Sequence, residues 1–305
     1  MSYEAEMFAK MRMPSREEVE EQLLIALFKN GGVVKEFAKG DEVVTQIADF
    51  FMLNSEQRSF ELQTVYRKEN RIKKSNLWNR LLYRAAHSLS KQSFVSLPSQ
   101  TFKITGQKEW MLTENGFDEA LKLRGLPESE KEVLPIKSFE VERYSQRLIS
   151  KRKPANYKPF SIHEASVKPS LQSVRLRSFR RAVMQAYNCS CAVCGLKLRA
   201  PDSEIWEAEA AHIIPHSAKG KDDVWNGLSL CRLHHWTFDV GWFSVANNRK
   251  IIVSEKIADL PDESAQMFGN NVLAQLKEKE IILPLNPNLW PDESALEWHR
   301  NHVLK

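Results

Sequence analysis

Apolar residues recur at helical spacing from Ser15 onward. Val19, Leu23, Leu24, Ala26, Leu27 and Phe28 share a face, and Gly31-Gly32 ends the run. A second helix is predicted over about 41–53, burying Val44, Ile47, Ala48 and Phe51. A third, over about 75–90, splits into two stripes. Trp78, Leu81, Leu82, Ala85 and Leu89 form the inward one; Asn76, Asn79, Arg80, Tyr83, Arg84 and His87 form the outward one. Short strands follow at 94–97, 101–105 and 109–112, with Pro98-Ser99 and Gly106 as turns. Thr113 then caps a helix over 114–124, closed by Gly125. Residues 1–13 show no such face and read as a loose tail.

Three helices followed by a small sheet is the order of a winged helix-turn-helix domain, assigned to 14–126. Its third helix is the one such domains place in the major groove. Double-stranded DNA is the expected partner, met by the outward stripe Asn76, Asn79, Arg80, Tyr83, Arg84 and His87. Charge supports this. Arg67, Lys68, Arg71, Lys73 and Lys74 lead into the helix, and from Tyr66 to Lys91 eight Lys/Arg face one Glu. Over 127–174 apolar periodicity fades and Pro, Ser and Lys accumulate. Between Arg147 and Arg181 ten Lys/Arg stand against Glu164 alone. A basic linker lying along nucleic acid is one reading, and a solvated flexible connector is the other.

The remaining residues, 175–305, hold the chemistry. A helix over 175–186 is predicted to expose its arginines and lead into Cys191-x-x-Cys194, which pairs with Cys231-x-x-His234. Two short-spaced ligand pairs are how a chain closes a tetrahedral zinc site, and two matched pairs argue against cysteines merely buried in a core. Cys189 is left out as a spare thiol. All four cysteines lie in this region, which suits a metal site in a reducing cytoplasm. No apolar run is long enough to span a membrane, and no secretory signal pattern is present. The net charge of +5 is modest. His212 lies near the end of a strand predicted over 205–215, and Asn226 precedes a helix predicted over 229–239. On that helix Cys231 and His234 lie three apart, while His235 and Asp239 lie four apart on a neighbouring face.

The order His212, Asn226, His235 around this clamp resembles the HNH endonucleases, in the restriction-enzyme branch whose ββα-metal fold is pinned by a Cys/His zinc. The resemblance covers about 180–305. It implies that His212 is the general base, a role suited to a side chain that ordinarily titrates near neutrality. Asn226 would hold the loop and in some members binds the metal; His235 would bind a catalytic Mg²⁺ or Mn²⁺. Asp239 is either a further ligand or a helix-end residue. Ala211 departs from the pattern, since many members carry a metal-binding Asp or His there; Glu209, Asn226 or Asp239 would then complete the site. The run EWMLTENG resembles the N-terminal domain of Mrr-type restriction endonucleases. LEWHRNHVLK resembles the Trp-His-Arg segment closing this HNH subfamily, with Trp298 packing over the core and His299 and Arg300 structural or phosphate-contacting. The expectation is an α+β chain, a winged-helix domain joined to a zinc-stabilised ββα-metal nuclease domain. It would act as a cytoplasmic restriction-type endonuclease of prokaryotic defence, cutting both strands as a homodimer or by two successive nicks. Dependence on a modified base is left open; Tyr83 would read one, or Trp78, whose place in the inward stripe puts it in the core instead. The alternative is a non-cleaving, zinc-containing DNA-binding regulator.

Overall fold

A computed structural model describes residues 3–35, 37, 41–66, 71–132, 134–161, 169–201, 205–259 and 273–305. The chain divides into two compact units, Met1–Glu142 and Arg143–Lys305.

The first unit begins with helix α1 (Tyr3–Lys10), where a loose tail was expected. Helix α2 (Arg16–Lys29) starts at a capping box: the Glu18 amide donates to Ser15 Oγ, and the Ser15 amide donates to Glu18 Oε2 at 2.8 Å. Gly32 ends it in the left-handed region. Strand β1 (Val33–Val34) follows, then α3 (Glu42–Phe50) and α4 (Ser55–Ser59). The basic approach to the third predicted helix is partly an antiparallel pair, β2 (Glu61–Tyr66) with β3 (Arg71–Asn76); Arg67 and Lys68 lie outside the described residues. Helix α5 (Leu77–Lys91) buries Trp78, Leu81, Leu82, Ala85 and Leu89 against α2 and α3. Strand β4 (Val95–Ser96) leads into α6 (Pro98–Thr105). A strand was expected over 101–105, and the helix forms because Pro98 opens it and the Leu97 amide donates to Gln100 Oε1 at 2.9 Å. Strand β5 (Trp110–Leu112) pairs antiparallel with both β1 and β4, and α7 (Glu114–Leu123) is capped by Thr113 as expected.

The division between the units falls within α8 (Phe139–Ser150), so the stretch expected as linker over 127–174 is not a featureless connector. Its residues 151–161 are strapped to the second unit. Lys151 and Lys153 pair with Asp223 and Asp292, Tyr157 packs edge-on to Trp225, and the Ser161 amide donates to the Lys219 carbonyl. Two of the cations expected to track phosphates are therefore matched by carboxylates. Helix α9 (Pro169–Ala186) follows and packs on the antiparallel pair β6 (Ala208–His212) and β7 (Gly227–Cys231). Helix α10 (Arg232–Asp239) starts three residues later than expected because Gly227–Cys231 is strand, every residue buried. Strands β8 (Phe243–Val245) and β9 (Ile251–Val253) form an antiparallel hairpin.

Helix α11 (Glu293–His302) closes the unit. Trp298 packs on its core, as expected, and Arg300 donates to the Val245 carbonyl at 2.7 Å. His299 is structural. It stacks on Phe238 at 3.6 Å, and its Nδ1 lies 2.8 Å from Ser244 Oγ. Burial pushes its pKa down to about 4 from 6.5. The unfolded chain therefore takes up a proton below pH 6.5 that the native state refuses. Stability present above that pH should fall as pH drops toward 4, by up to ~3 kcal/mol. Urea midpoints measured between pH 7 and pH 4.5 should show a shallower slope for His299→Gln than for the wild type.

Candidate functional site

Cys191 and Cys194 lie in the turns after α9; Cys231 ends β7, and His234 lies in the first turn of α10. One ligand atom from each falls within 4.8 Å of all the others. His234 Nδ1 is 3.0 Å from Cys231 Sγ and 3.5 Å from Cys191 Sγ. A tetrahedral zinc with Zn–S of ~2.3 Å and Zn–N of ~2.0 Å spaces its donors roughly 3.5–3.8 Å apart, so this donor set fits the ion once His234 Nδ1 and Cys231 Sγ part by about half an ångström. Contacts from Cys194 and Cys231 push the Cys191 thiol below its ordinary value, while contacts from Cys191 and Cys194 push that of Cys231 up. Cys189 is not part of it. Its left-handed backbone belongs to the turn that ends α9.

Gly227, on β7, lies opposite His212 on β6. A methyl group at Gly227 would collide with Val183 and the Phe179 ring, so glycine here lets α9 come close. Phe179 then stacks on the His212 imidazole at 3.9 Å and 16°. His212 Nε2 lies 3.0 Å from Asp222 Oδ1, and among the described residues no hydrogen bond engages Nδ1. His216 Nε2 reaches the same carboxylate oxygen at 2.8 Å. Burial works against the charged Asp222, but the His212 contact and the charges of His216 and Arg175 win, holding its pKa below the usual carboxylate value.

Asn226 is fully buried and ties the loop between the strands to itself. The Ile214 amide donates to its Oδ1 at 2.9 Å, and its Nδ2 donates to the carbonyls of Ile214 and Lys221 at 3.0 Å. Of the two roles considered for Asn226, only loop-holding fits this geometry: a side chain with no exposure does not reach an ion at the surface. Asn226→Ala strands one donor and two acceptors, and should cost the second unit about 3–5 kcal/mol in urea unfolding. Asn226→Asp keeps the acceptor for the Ile214 amide but sets a buried carboxylate oxygen against two carbonyls, and should cost at least as much near neutral pH.

Ala211 faces inward, opposite Leu228, and both are fully buried. The residue before His212 therefore serves the core and has no route to an ion. Glu209 is on the open side instead. Its Oε1 lies 2.8 Å from His235 Nδ1, while His235 Nε2 faces Asp239 Oδ2 at 3.4 Å. The Glu209 pKa is lowered, chiefly by the His235 hydrogen bond. Burial raises that of Asp239. For His235 burial opposes the charged form, but Glu209 and Asp239 outweigh it and raise the pKa. Nitrogen and carboxylate oxygens of this kind suit a hard divalent ion. Sequence reading missed Asp222 and gave His216 no role; neither carries a local signal beyond an acidic pair and a loop histidine.

The outward stripe of α5 is engaged within its own unit. Asn76 caps the helix and donates to the Arg58 carbonyl, and Asn79 donates to the Phe37 carbonyl. Tyr83 meets Phe37 edge-on, and His87 meets Trp110 likewise. Arg80 and Arg84 both pair with Glu4 of α1. Trp78 is core, as its place in the inward stripe predicts: it is 1% exposed and its Nε1 donates to the Val44 carbonyl.

Residues 191–246 match the family model described as HNH endonuclease, so the chain carries an HNH endonuclease domain over that interval. Among solved structures, a "Modification dependent TagI restriction endonuclease" is 21% identical, with a TM-score of 0.30. The shared segment covers 42% of this chain and 38% of that one, a minority of each. No curated protein matches the chain. Among the described residues, no helix is long and apolar enough to cross a membrane.

Proposed function

We propose that the chain is an endonuclease that hydrolyses phosphodiester bonds in double-stranded DNA, with the reaction centred on His212. The observation that carries this reading is the HNH match over 191–246, which contains a histidine held by a carboxylate at one ring nitrogen and open at the other. With its proton on Nε2, directed at Asp222, His212 keeps the Nδ1 lone pair to accept a proton from the attacking water. The Asp222 carboxylate then stabilises the imidazolium that forms. Asn226 fixes the loop carrying Asp222, and Phe179 fixes the ring plane. His235 Nε2 and Asp239 would hold a Mg²⁺ or Mn²⁺ ion, while Glu209 at Nδ1 orients the ring. Such an ion, when bound, polarises the phosphoryl oxygen and stabilises the leaving 3′-oxygen.

The first unit is the proposed target reader. The order α2, β1, α3, α5, β4, β5, with β1 pairing beside β5, supports the winged-helix reading. Glu4 then competes with phosphate for Arg80 and Arg84. Glu4→Ala should raise DNA affinity and steepen the salt dependence, log K against log salt, by about one to two in slope. Fluorescence anisotropy across a salt series checks this.

The direct test of function uses two plasmids, one from a host with adenine and cytosine methyltransferases and one from a host lacking both. Cutting of the methylated plasmid alone means that the first unit reads a modified base; discrete cutting of both means ordinary sequence recognition. Binding without cutting of either overturns the nuclease reading in favour of a DNA-binding regulator. One centre cuts one strand, so the time course of nicked and linear product, run at several protein concentrations, separates paired centres in a homodimer from two successive nicks.

A further inference from the structure

We propose that His212, His216 and Asp222 form a transition-metal site whose occupation switches cleavage off. The switch rests on the reading of His212 as the base; the site itself does not. Two imidazole nitrogens converge on one carboxylate oxygen: His212 Nε2 at 3.0 Å and His216 Nε2 at 2.8 Å from Asp222 Oδ1. The three ligand atoms all lie within 4.8 Å of one another. An ion ~2.0–2.1 Å from each donor spaces the donors ~3.4 Å apart, so each histidine–carboxylate pair would part by about half an ångström to admit it.

The loop holds these donors in place. Asn226 ties Ile214 and Lys221 together, bracketing His216 and adjoining Asp222. His216 opens a short helical turn closed by Lys219 in the left-handed conformation. Phe179 holds the His212 ring. The donor set also selects its occupant. Two imidazoles with a single carboxylate favour Zn²⁺, Co²⁺ or Ni²⁺ over Mg²⁺, which prefers several oxygens. The charge of Arg175, felt at Asp222, weighs further against a weakly held hard cation.

The consequence follows from the ring's one proton. In the cleaving state it sits on Nε2 and leaves Nδ1 free to accept. An ion bound at Nε2 takes that lone pair, so the proton moves to Nδ1 and the ring has no base left to offer. No proton is gained or lost overall. Cleavage in Mg²⁺ would then stop as free zinc rises, without loss of the separate Cys191–His234 zinc.

The test begins with protein whose cysteine site is filled with Zn²⁺ and titrates it with Co²⁺. The expected result is one equivalent showing ligand-field bands without thiolate charge transfer, removed by His216→Ala and by Asp222→Asn but kept in Asp239→Asn. In Mg²⁺ cleavage assays, Zn²⁺ should inhibit at least tenfold, with a midpoint moved at least tenfold by His216→Ala, each protein being scaled to its own rate in Mg²⁺ without added zinc. Absence of that equivalent, its persistence in His216→Ala, or an unmoved midpoint overturns the proposal. A His212→Ala variant that cuts as fast as wild type overturns the base assignment and the switch together, while the Co²⁺ titration still reports on the site.

Discussion

Replacing His212 with alanine should slow DNA cleavage by about 10²–10⁴-fold, the range a positioned general base supplies. The loss should fall on kcat, because His212 acts on the attacking water and has no part in holding the duplex. Folding should survive. His212 is itself only partly buried, and the Phe179 ring on which it stacks is held in the core by its other neighbours. Unchanged DNA affinity and an unchanged thermal transition, measured on the same sample, separate this outcome from a collapsed domain. His212→Gln should lose as much activity, since an amide nitrogen offers no basic lone pair. Asp222→Asn is the informative partner. It keeps shape but no longer stabilises the imidazolium, and should lose less than His212→Ala.

Removing the zinc should produce the largest change in stability. Apparent binding free energies of structural zinc are about 10–16 kcal/mol near neutral pH, comparable to or greater than the whole stability of a domain. The four donors join the end of α9, the end of β7 and the start of α10, and β7 and α10 carry most of the candidate site between them. Chelation, or Cys231→Ser, should therefore abolish the cooperative unfolding of the second unit and with it all cleavage. The first unit has a separate core, in which Leu23, Leu27, Trp78 and Phe117 are buried, and should keep its own transition. Calorimetry before and after chelation reads both. A single transition that vanishes entirely, or a second unit that melts unchanged without zinc, is the opposite outcome.

The sequence made visible what short-range rules encode. Ser15 with Glu18, Thr113 before α7 and the two stripes of α5 are signals carried within one or two helical turns, and each element formed where those signals lie. The Cys191, Cys194, Cys231 and His234 cluster was legible for the same reason: each pair is three residues apart. Elements that depend on partners distant in sequence were not legible. Helix α1 buries no residue completely and is tied to α5 through Glu4, so nothing local marks it. Over 101–105 the alternation of Thr, Phe, Lys, Ile and Thr suggested a strand, but Pro98 and Gln100 start a helix first. Strand β7 is a short, mostly apolar run, GLSLC, and such a run does not distinguish strand from helix.

The site shows the same division. His212, Asn226 and His235 stood out by their order, whereas the partner of each came from the fold. Asp222 is ten residues from His212 across a loop, and Glu209 is 26 from His235 across a strand pair. The outward stripe of α5 was read correctly as polar. What the spacing did not reveal is that Glu4, Phe37 and Trp110 already engage it.

The most direct test of the central claim is cleavage of supercoiled DNA by the zinc-loaded chain in Mg²⁺ or Mn²⁺, followed by analysis of the ends. Conversion to nicked and linear forms with 5′-phosphate and 3′-hydroxyl ends, absent in His212→Ala, is the expected result. DNA that is bound in a salt-sensitive manner but left intact in every divalent ion would contradict it.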